Sequence, residues 1–294
     1  MISLSGLKCL SVGSVTHDRY EEKILPGGCA FYAASAWQSL GCSPGLVTCL
    51  GEDFQCRDFL DSFETFADVR GKTTTFVNRY DDAGNRVQYV SALGSRLVPG
   101  RVAGLASDLD VSFLAPVLGE LDPLQWLDVL HARITGLGLQ GLLRRASGIE
   151  GEESLKLVVP ACVFPPVEMM KRIHIAFLST EDLHGQPKEL LDYLIEYTHM
   201  VVLTRGSEGS SIWWKGGQLH VPSHQAKVLD PTGAGDTYAA TFLAILAASG
   251  FDVDKPVSRD EVAKAAHHAS KAASIVIGDV GPLALVHSGL VIGG

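Results

Sequence analysis

The sequence predicts an α/β fold: a doubly wound parallel sheet with helices on both faces and a small β-sheet projecting from it. Three observations carry this. Short apolar runs alternate with longer helical patterns along the 294 residues, the rhythm of strand–helix–strand units. Apolar residues make up 46% and charged residues 19%, a globular balance. One stretch, at about 73–92, breaks the rhythm with a strand–turn–strand pattern, and with the segment at about 16–26 it would form the small sheet.

Taken in order, residues 7–15 form a first apolar strand and residues 17–25 an arm of the small sheet. Residues 29–40 are alanine-rich and stop at Gly41, a helix with a glycine terminator. Residues 45–50 are the next strand. Residues 73–80 and 86–92 flank Asp81-Asp82-Ala83-Gly84-Asn85, which reads as a hairpin turn. That hairpin is either a lid over a site or an ordinary edge. Residues 111–115, 155–159, 174–178 and 200–204 continue the strand series, and residues 187–198 form a helix. Residues 146–154 are polar and glycine-bearing, a surface connection. Residues 237–249 form a strongly apolar helix. With no internal repeat and no low-complexity tract, the chain reads as one domain over 1–294.

Charge and cysteine usage exclude several classes. Lys+Arg number 24 against 33 Asp+Glu, a net charge of −9. Such a chain has no long-range attraction for phosphate backbones or anionic lipid, so neither nucleic acid nor membrane is an expected partner. The N-terminus lacks the basic start of a signal peptide, and no apolar run reaches the ~18 residues of a membrane span. A cytoplasmic location is expected. The cysteines (Cys9, Cys29, Cys42, Cys49, Cys56 and Cys162) form no CxxC pair and no zinc spacing. They read as free buried thiols.

Three glycine signals compete for a functional reading. Gly136-Leu137-Gly138-Leu139-Gln140-Gly141 matches GxGxxG. A dinucleotide site also needs an acidic residue closing the next strand, and residues 155–159 end in Pro160-Ala161. A nicotinamide-dependent oxidoreductase is thereby a weak rival. Gly71-Lys72-Thr73 resembles the end of a P-loop, but Phe66 stands where its first glycine belongs. The third signal is Asp230-Pro231-Thr232-Gly233-Ala234-Gly235-Asp236, directly before the apolar helix. Gly-Ala-Gly at a helix start directs free N–H groups and the positive dipole end outward, an anion site suited to phosphate. Asp236 in the first turn either takes a proton from an attacking hydroxyl or caps the helix. The two framing glycines favour the former.

The stretch from Asp230 through Phe242 resembles the C-terminal signature of the ribokinase-like (PfkB) carbohydrate kinases. Other elements resemble that family's in the same order and cover nearly the whole chain. Gly13-Ser14-Val15-Thr16-His17-Asp18 is like its first strand with a following Asp. Gly27-Gly28 is like its di-glycine hinge, Gly51-Glu52-Asp53 like its GxD element and Thr204-Arg205-Gly206-Ser207-Glu208-Gly209 like its TxGxxG nucleotide turn. Residues 260–277 and 278–282 fit its nucleotide-side ending. Gln140-Gly141-Leu142-Leu143-Arg144 is similar to a QGxxR element in the branch that includes inositol kinases.

This resemblance implies a ribokinase-like αβα sandwich with a β-lid, and phosphoryl transfer from ATP to an alcohol. It implies Asp236 as the base and Gly233, Ala234 and Gly235 as the anion hole. Thr204, Gly206, Gly209 and Thr232 would line the ATP site; Asp18, Gly27, Gly28, Tyr32 and Arg144 the acceptor site. The element that orders Mg²⁺ through water would fall on Ser179-Thr180-Glu181-Asp182, so Asp182, with Glu181, is the metal-side expectation. Some relatives also bind a monovalent cation near Asp230 and Thr232. The chain departs from the family at Tyr32, where asparagine is usual and which either stacks on a substrate ring or packs into the core. It departs again at Cys56, the last glycine of GxDxxG, and at Ser179. Arg144 either faces the substrate or lid, or lies on a helix surface. The expected acceptor is a sugar or polyol, inositol included; a nucleoside, or a non-catalytic kinase-like binding module, is the alternative. Exposed lid edges suggest a homodimer through the lid.

Overall fold

The computed structural model describes residues 3–20, 23–80, 86–101, 108–150, 155–161, 163–183 and 187–287. Within these the chain alternates between two sheets. β1 (Lys8–Val12) opens the larger one, and β2 (Thr16–Arg19) and β3 (Ile24–Gly27) leave it for a smaller one. β4 (Ser43–Leu50) and β5 (Glu64–Val69) return; β6 (Thr75–Tyr80) and β7 (Arg86–Ala92) leave again. β8 (Leu109–Leu114) and β9 (Ala132–Gly138) return before a third excursion, β10 (Arg144–Glu150) and β11 (Lys156–Pro160). β12 (Ile175–Ser179), β13 (Met200–Thr204), β14 (Ser210–Trp214) and β15 (Gly217–Val221) complete the larger sheet.

The larger sheet runs β15-β14-β13-β12-β9-β8-β1-β4-β5. Its strands are parallel except β14 and β15, which add as an antiparallel edge. Buried strands of this kind are apolar on both faces, and successive residues feed opposite cores. Phe113 enters one core and Leu114 the other. The first core is built with α1 (Cys29–Ser39), α5 (Ala234–Ala248) and α6 (Arg259–Val276), the second with α2 (Pro123–Leu127), α3 (Val167–Met170) and α4 (Pro187–Tyr197). A short α7 (Leu283–His287) follows. Helices on both faces make the doubly wound sandwich that the alternation predicts.

Two features fix the helices that matter for the site. α1 presents Ala30, Ala33 and Ala34, all fully buried, so it lies close against the sheet and α5. Trp37 fills the space between these helices and donates its indole N–H to Ala240 O at 2.8 Å. α6 starts at a capping box in which Ser258 and Glu261 satisfy each other's end groups.

The smaller sheet runs β10-β11-β7-β6-β2-β3. The two stretches expected at 16–26 and 73–92 are in it; the turn at 81–85 lies outside the described residues. Two expectations need correction. Residues 155–159 do not continue the larger sheet: β11 pairs antiparallel with β7 and β10. A five-residue apolar run does not say which sheet it joins, but its mostly half-exposed pattern differs from the buried central strands. Residues 146–150 are not a loop either, because β10 continues through them. As an edge strand it tolerates polar residues on its solvent side, and its register is broken between Ala146 and Glu150.

The five cysteines among the described residues are free and buried, as expected; Cys162 lies outside them. No helix among the described residues is long and apolar enough to cross a membrane.

The α1–α5 junction yields a stability prediction. Trp37→Ala removes a fully buried indole and should cost about 3–5 kcal/mol in urea denaturation. A loss below about 1 kcal/mol would contradict the packing described.

Candidate active site

The carboxyl ends of the parallel strands all open toward one edge of the sheet, where α/β folds bind ligands. Two cavities lie there and share a wall at the start of α5. One, of about 740 Å³, lies toward the smaller sheet and is lined by Asp18, Arg144 and Asp236 among others. The second, of about 550 Å³, is lined by Gly209, Ala226, Val228, Ala273 and Ile277 among others. Thr204, Gly206, Pro231, Ala234 and Gly235 border both.

The shared wall depends on glycine. Gly233 is the N-cap residue of α5, in the left-handed conformation with φ 79°. A Cβ there would lie 2.1 Å from Tyr32 Cδ1. Tyr32 is 1% exposed: its ring packs beneath the turn and also forms part of the wall of the larger cavity. The start of α5 has no side-chain cap hydrogen bond. Asp236 is half-buried in the first turn of that helix.

The structure brings the remaining expected residues to this place with some changes of role. Asp18 is buried, accepts from Thr16 Oγ1 at 3.0 Å and borders the larger cavity, as does Gly28. Gly27 makes room for Asp18: a Cβ at 27 would lie 2.2 Å from Asp18 Oδ2. Thr232 borders the larger cavity rather than the smaller one. Arg144 opens strand β10 and is not on a helix. Its Nε donates to Val117 O and its Nη1 to Gln88 Oε1, both at 2.8 Å, and its guanidinium lies 5.4 Å from the Phe76 ring centre.

Glu181 and Asp182 face the larger cavity across from Gly235. Asp182 Oδ2 accepts from Ser179 N at 2.7 Å and Ser179 Oγ at 2.8 Å. Burial pushes the Asp182 carboxyl up, and the Ser179 hydrogen bonds only partly oppose this. Two carboxylates suit a hard cation, so the residues present fit Mg²⁺. Asp230, just before the turn, accepts from Thr232 N at 2.9 Å, Gly281 N at 3.0 Å and the Tyr20 phenol at 2.5 Å. All three are hydrogen-bond donors to a held carboxylate.

Sequence reasoning missed several residues here. Cys29 starts α1 beside Asp236, and its thiol lies 3.6 Å from Gln140 Oε1. Burial first, then the Asp236 charge, pushes that thiol up, so it is not a nucleophile. Gln88 and Tyr20 reach the site from the smaller sheet, and no local spacing marks them. Glu120 is a buried carboxylate that accepts from Ser14 N at 3.1 Å, Val117 N at 3.0 Å and Leu118 N at 2.9 Å.

The two decoy motifs have packing explanations. Gly136 lies within β9, paired with Ile175, and a Cβ there would lie 2.8 Å from Leu243 of α5. Gly138 ends the same strand, and a Cβ at Gly141 would lie 2.2 Å from Pro116 O. These glycines admit close neighbours and form no strand-to-helix phosphate turn, so the dinucleotide reading is withdrawn. Thr73 of Gly71-Lys72-Thr73 is held by Asp53, whose Oδ1 accepts from Thr73 N at 2.8 Å and Oγ1 at 2.9 Å. The GxD element thus fastens the crossover into β6.

The fold is that of the ribokinase family. A structure titled as a pyrophosphate-dependent kinase in that family superposes with a TM-score of 0.75 at 19% identity, covering 94% of this chain and 97% of its own. Residues 171–287 match the pfkB family carbohydrate kinases, which bears out the resemblance read from the motifs. By sequence, the chain is 44% identical over 68 residues to the Nucleoside kinase of Methanocaldococcus jannaschii, covering 23% of this chain and 22% of that protein. It is 46% identical over 44 residues to the Inositol 3-kinase of Zea mays, covering 15% and 12% respectively. The matched stretches thus span less than a quarter of either relative's length.

Two predictions follow from this geometry. Gly233→Ala meets both the Tyr32 ring and an unfavourable φ, so it should displace the start of α5 and lower stability by at least about 1 kcal/mol. Thermal unfolding checks this. His17 is buried next to Asp18, stacks on Phe54 and accepts from Gln55 N at 3.1 Å. Burial lowers its pKa from 6.5, partly opposed by Asp53. The unfolded chain then binds the proton more readily than the folded one, so this contribution is present above pH 6.5 and lost as pH falls below it. Denaturation from about pH 7.5 to 5.5 should show a shallower loss in His17→Gln, whose amide oxygen still accepts from Gln55, than in the wild type.

Proposed function

We propose that the protein transfers the γ-phosphate of ATP to a hydroxyl of a sugar or polyol, inositol included. The observation that carries this is the pair of cavities meeting at the N-terminus of α5. A donor in the smaller cavity and an acceptor in the larger one would face each other across Gly233, Ala234 and Gly235. In-line transfer needs that arrangement: two reactants held in line and fixed dipoles where charge develops.

The roles then divide by position. Asp236 takes the proton from the acceptor hydroxyl as its oxygen attacks phosphorus. The Gly233 and Gly235 N–H groups hold the transferring phosphoryl oxygens, while the Ala234 N–H, expected beside them, donates to Pro231 O at 3.3 Å. Asp18 accepts hydrogen bonds from acceptor hydroxyls, and Arg144 borders the same space. Thr204, Gly206 and Gly209 border the donor, and Thr232 the junction. Glu181 and Asp182 would hold Mg²⁺ through water; the ion supplies charge neutralisation on the phosphates when bound. The smaller sheet acts as the lid that excludes water. No step is assigned to a monovalent cation.

Donor and acceptor classes follow from the walls. The superposing structure is titled as pyrophosphate-dependent, but the smaller cavity here is lined by Ala226, Val228, Ala273 and Ile277. Apolar walls of that extent suit a base and ribose rather than a bare pyrophosphate. A nucleoside is the second acceptor reading, because Phe76 and Phe113 offer aromatic surface on the larger cavity. The outer strands β3 and β10 are where a second copy would pair in a homodimer. A cytoplasmic setting is consistent with this chemistry.

The test is ADP release from Mg-ATP across sugars, polyols including myo-inositol, and nucleosides. Asp236→Asn should lower kcat by about 10³-fold and leave ATP affinity within about twofold. Retained turnover in that variant would remove Asp236 as the base. ATP binding with no stimulation by any acceptor would favour a non-catalytic binding module, and absence of ATP binding would overturn the reading.

A further inference from the structure

The β2–β3 hairpin reaches back from the smaller sheet to the loop that leads into α5. Leu25 of β3 packs against Gly281, where a Cβ would lie 2.9 Å from Leu25 Cδ1. Tyr20, just past β2, bonds through its backbone to Lys23 across the hairpin end, at 2.9 and 3.4 Å. Its phenol donates to Asp230 Oδ2 at 2.5 Å, linking residues 210 positions apart. The same oxygen accepts from Gly281 N, and Oδ1 accepts from Thr232 N. Asp230 is 4% exposed. A buried carboxylate is stable there only while its donors are in place.

Asp18 and Tyr20 are two residues apart on one extended segment, so they project from the same side. Asp18 borders the acceptor cavity, and Asp230 lies three residues before Gly233. We propose that Tyr20 is a positioning residue: its phenol latches the hairpin that carries Asp18 onto the loop that sets the Gly233–Gly235 N–H groups. Moving the hairpin away would withdraw Asp18 from the acceptor and one donor from Asp230 together. Closure over the acceptor is thereby coupled to assembly of the anion hole.

The electrostatics agree. Burial alone would push the Asp230 carboxyl up, but hydrogen bonds from Thr232, Tyr20 and Gly281 outweigh it and hold it below the usual range. Burial and the Asp230 contact push the Tyr20 phenol far up, so it keeps its proton and remains a donor.

The kinetic consequence rests on the phosphotransferase reading; the latch does not. The test compares wild type, Tyr20→Phe, Asp230→Asn and the double variant as full-length protein. Tyr20→Phe keeps the ring and removes only the donor. Hydrogen exchange over residues 228–235 should quicken by roughly tenfold in Tyr20→Phe, with the interior of α5 unchanged. Unchanged exchange overturns the latch whether or not any acceptor is turned over. With an acceptor that the wild type phosphorylates, Tyr20→Phe should lose about tenfold in kcat with KM for Mg-ATP within about twofold. A merely structural anchor would instead lower the amount of active enzyme and the melting temperature. The double variant should be no slower than Asp230→Asn alone, because both remove one contact. Additive losses, or an unchanged kcat in Tyr20→Phe, overturn the coupling. Failure of the wild type on every acceptor counts against the phosphotransferase reading and leaves the exchange result to decide the latch.

Discussion

The ring of Tyr32 occupies the space that any side chain at position 233 would need. The chain turns into α5 there only because glycine accepts both the missing volume and the left-handed φ. That single steric constraint sets where α5 starts and where Asp236 stands. Both cavities border Ala234 and Gly235 in its first turn. Tyr32, where the resemblance would place an asparagine, thus supports the turn from below at the wall of the larger cavity.

The second organising constraint is the repeated crossing between sheets. The chain leaves the larger sheet after β1, β5 and β9, and each crossing is held by a polar clamp. Glu120 holds the first through Ser14 N. Asp53 holds the second through Thr73. Arg144 holds the third through Val117 O, whose own N–H is bound by Glu120. Glu120 is buried, Arg144 half-buried and Asp53 exposed, and such bonds contribute more to geometry than to net stability. Here they fix how the smaller sheet stands over the larger cavity. That placement explains why Gln88 and Phe76, in the middle of strands, border a site made mainly from loop residues.

Much of the site is legible in the sequence because its chemistry is local. Gly233, Ala234, Gly235 and Asp236 are contiguous, and a turn, a helix dipole and a carboxylate can be read from adjacent residues. The glycines at 136, 138 and 141 show the limit of such reading. The same pattern arises when α5, Phe113 and Pro116 approach the backbone closely, and only the neighbours reveal which cause applies. Residues 155–159 show it again: their apolarity marks a strand, yet partner choice depends on β7 and β10, distant in sequence.

What the sequence by itself determined was the alternation of strands and helices and the glycine turn that leads into α5 with Asp236 in its first turn. Each of these is written in neighbouring residues through backbone sterics and periodicity. Tertiary structure decided the rest. It put Tyr32 in the core, put Arg144 on a strand against Gln88 and Phe76, and joined Tyr20 to Asp230 across 210 positions. Such pairings carry no local signal, because they are set by how two sheets stand relative to one another, and that angle is a property of the whole packed chain.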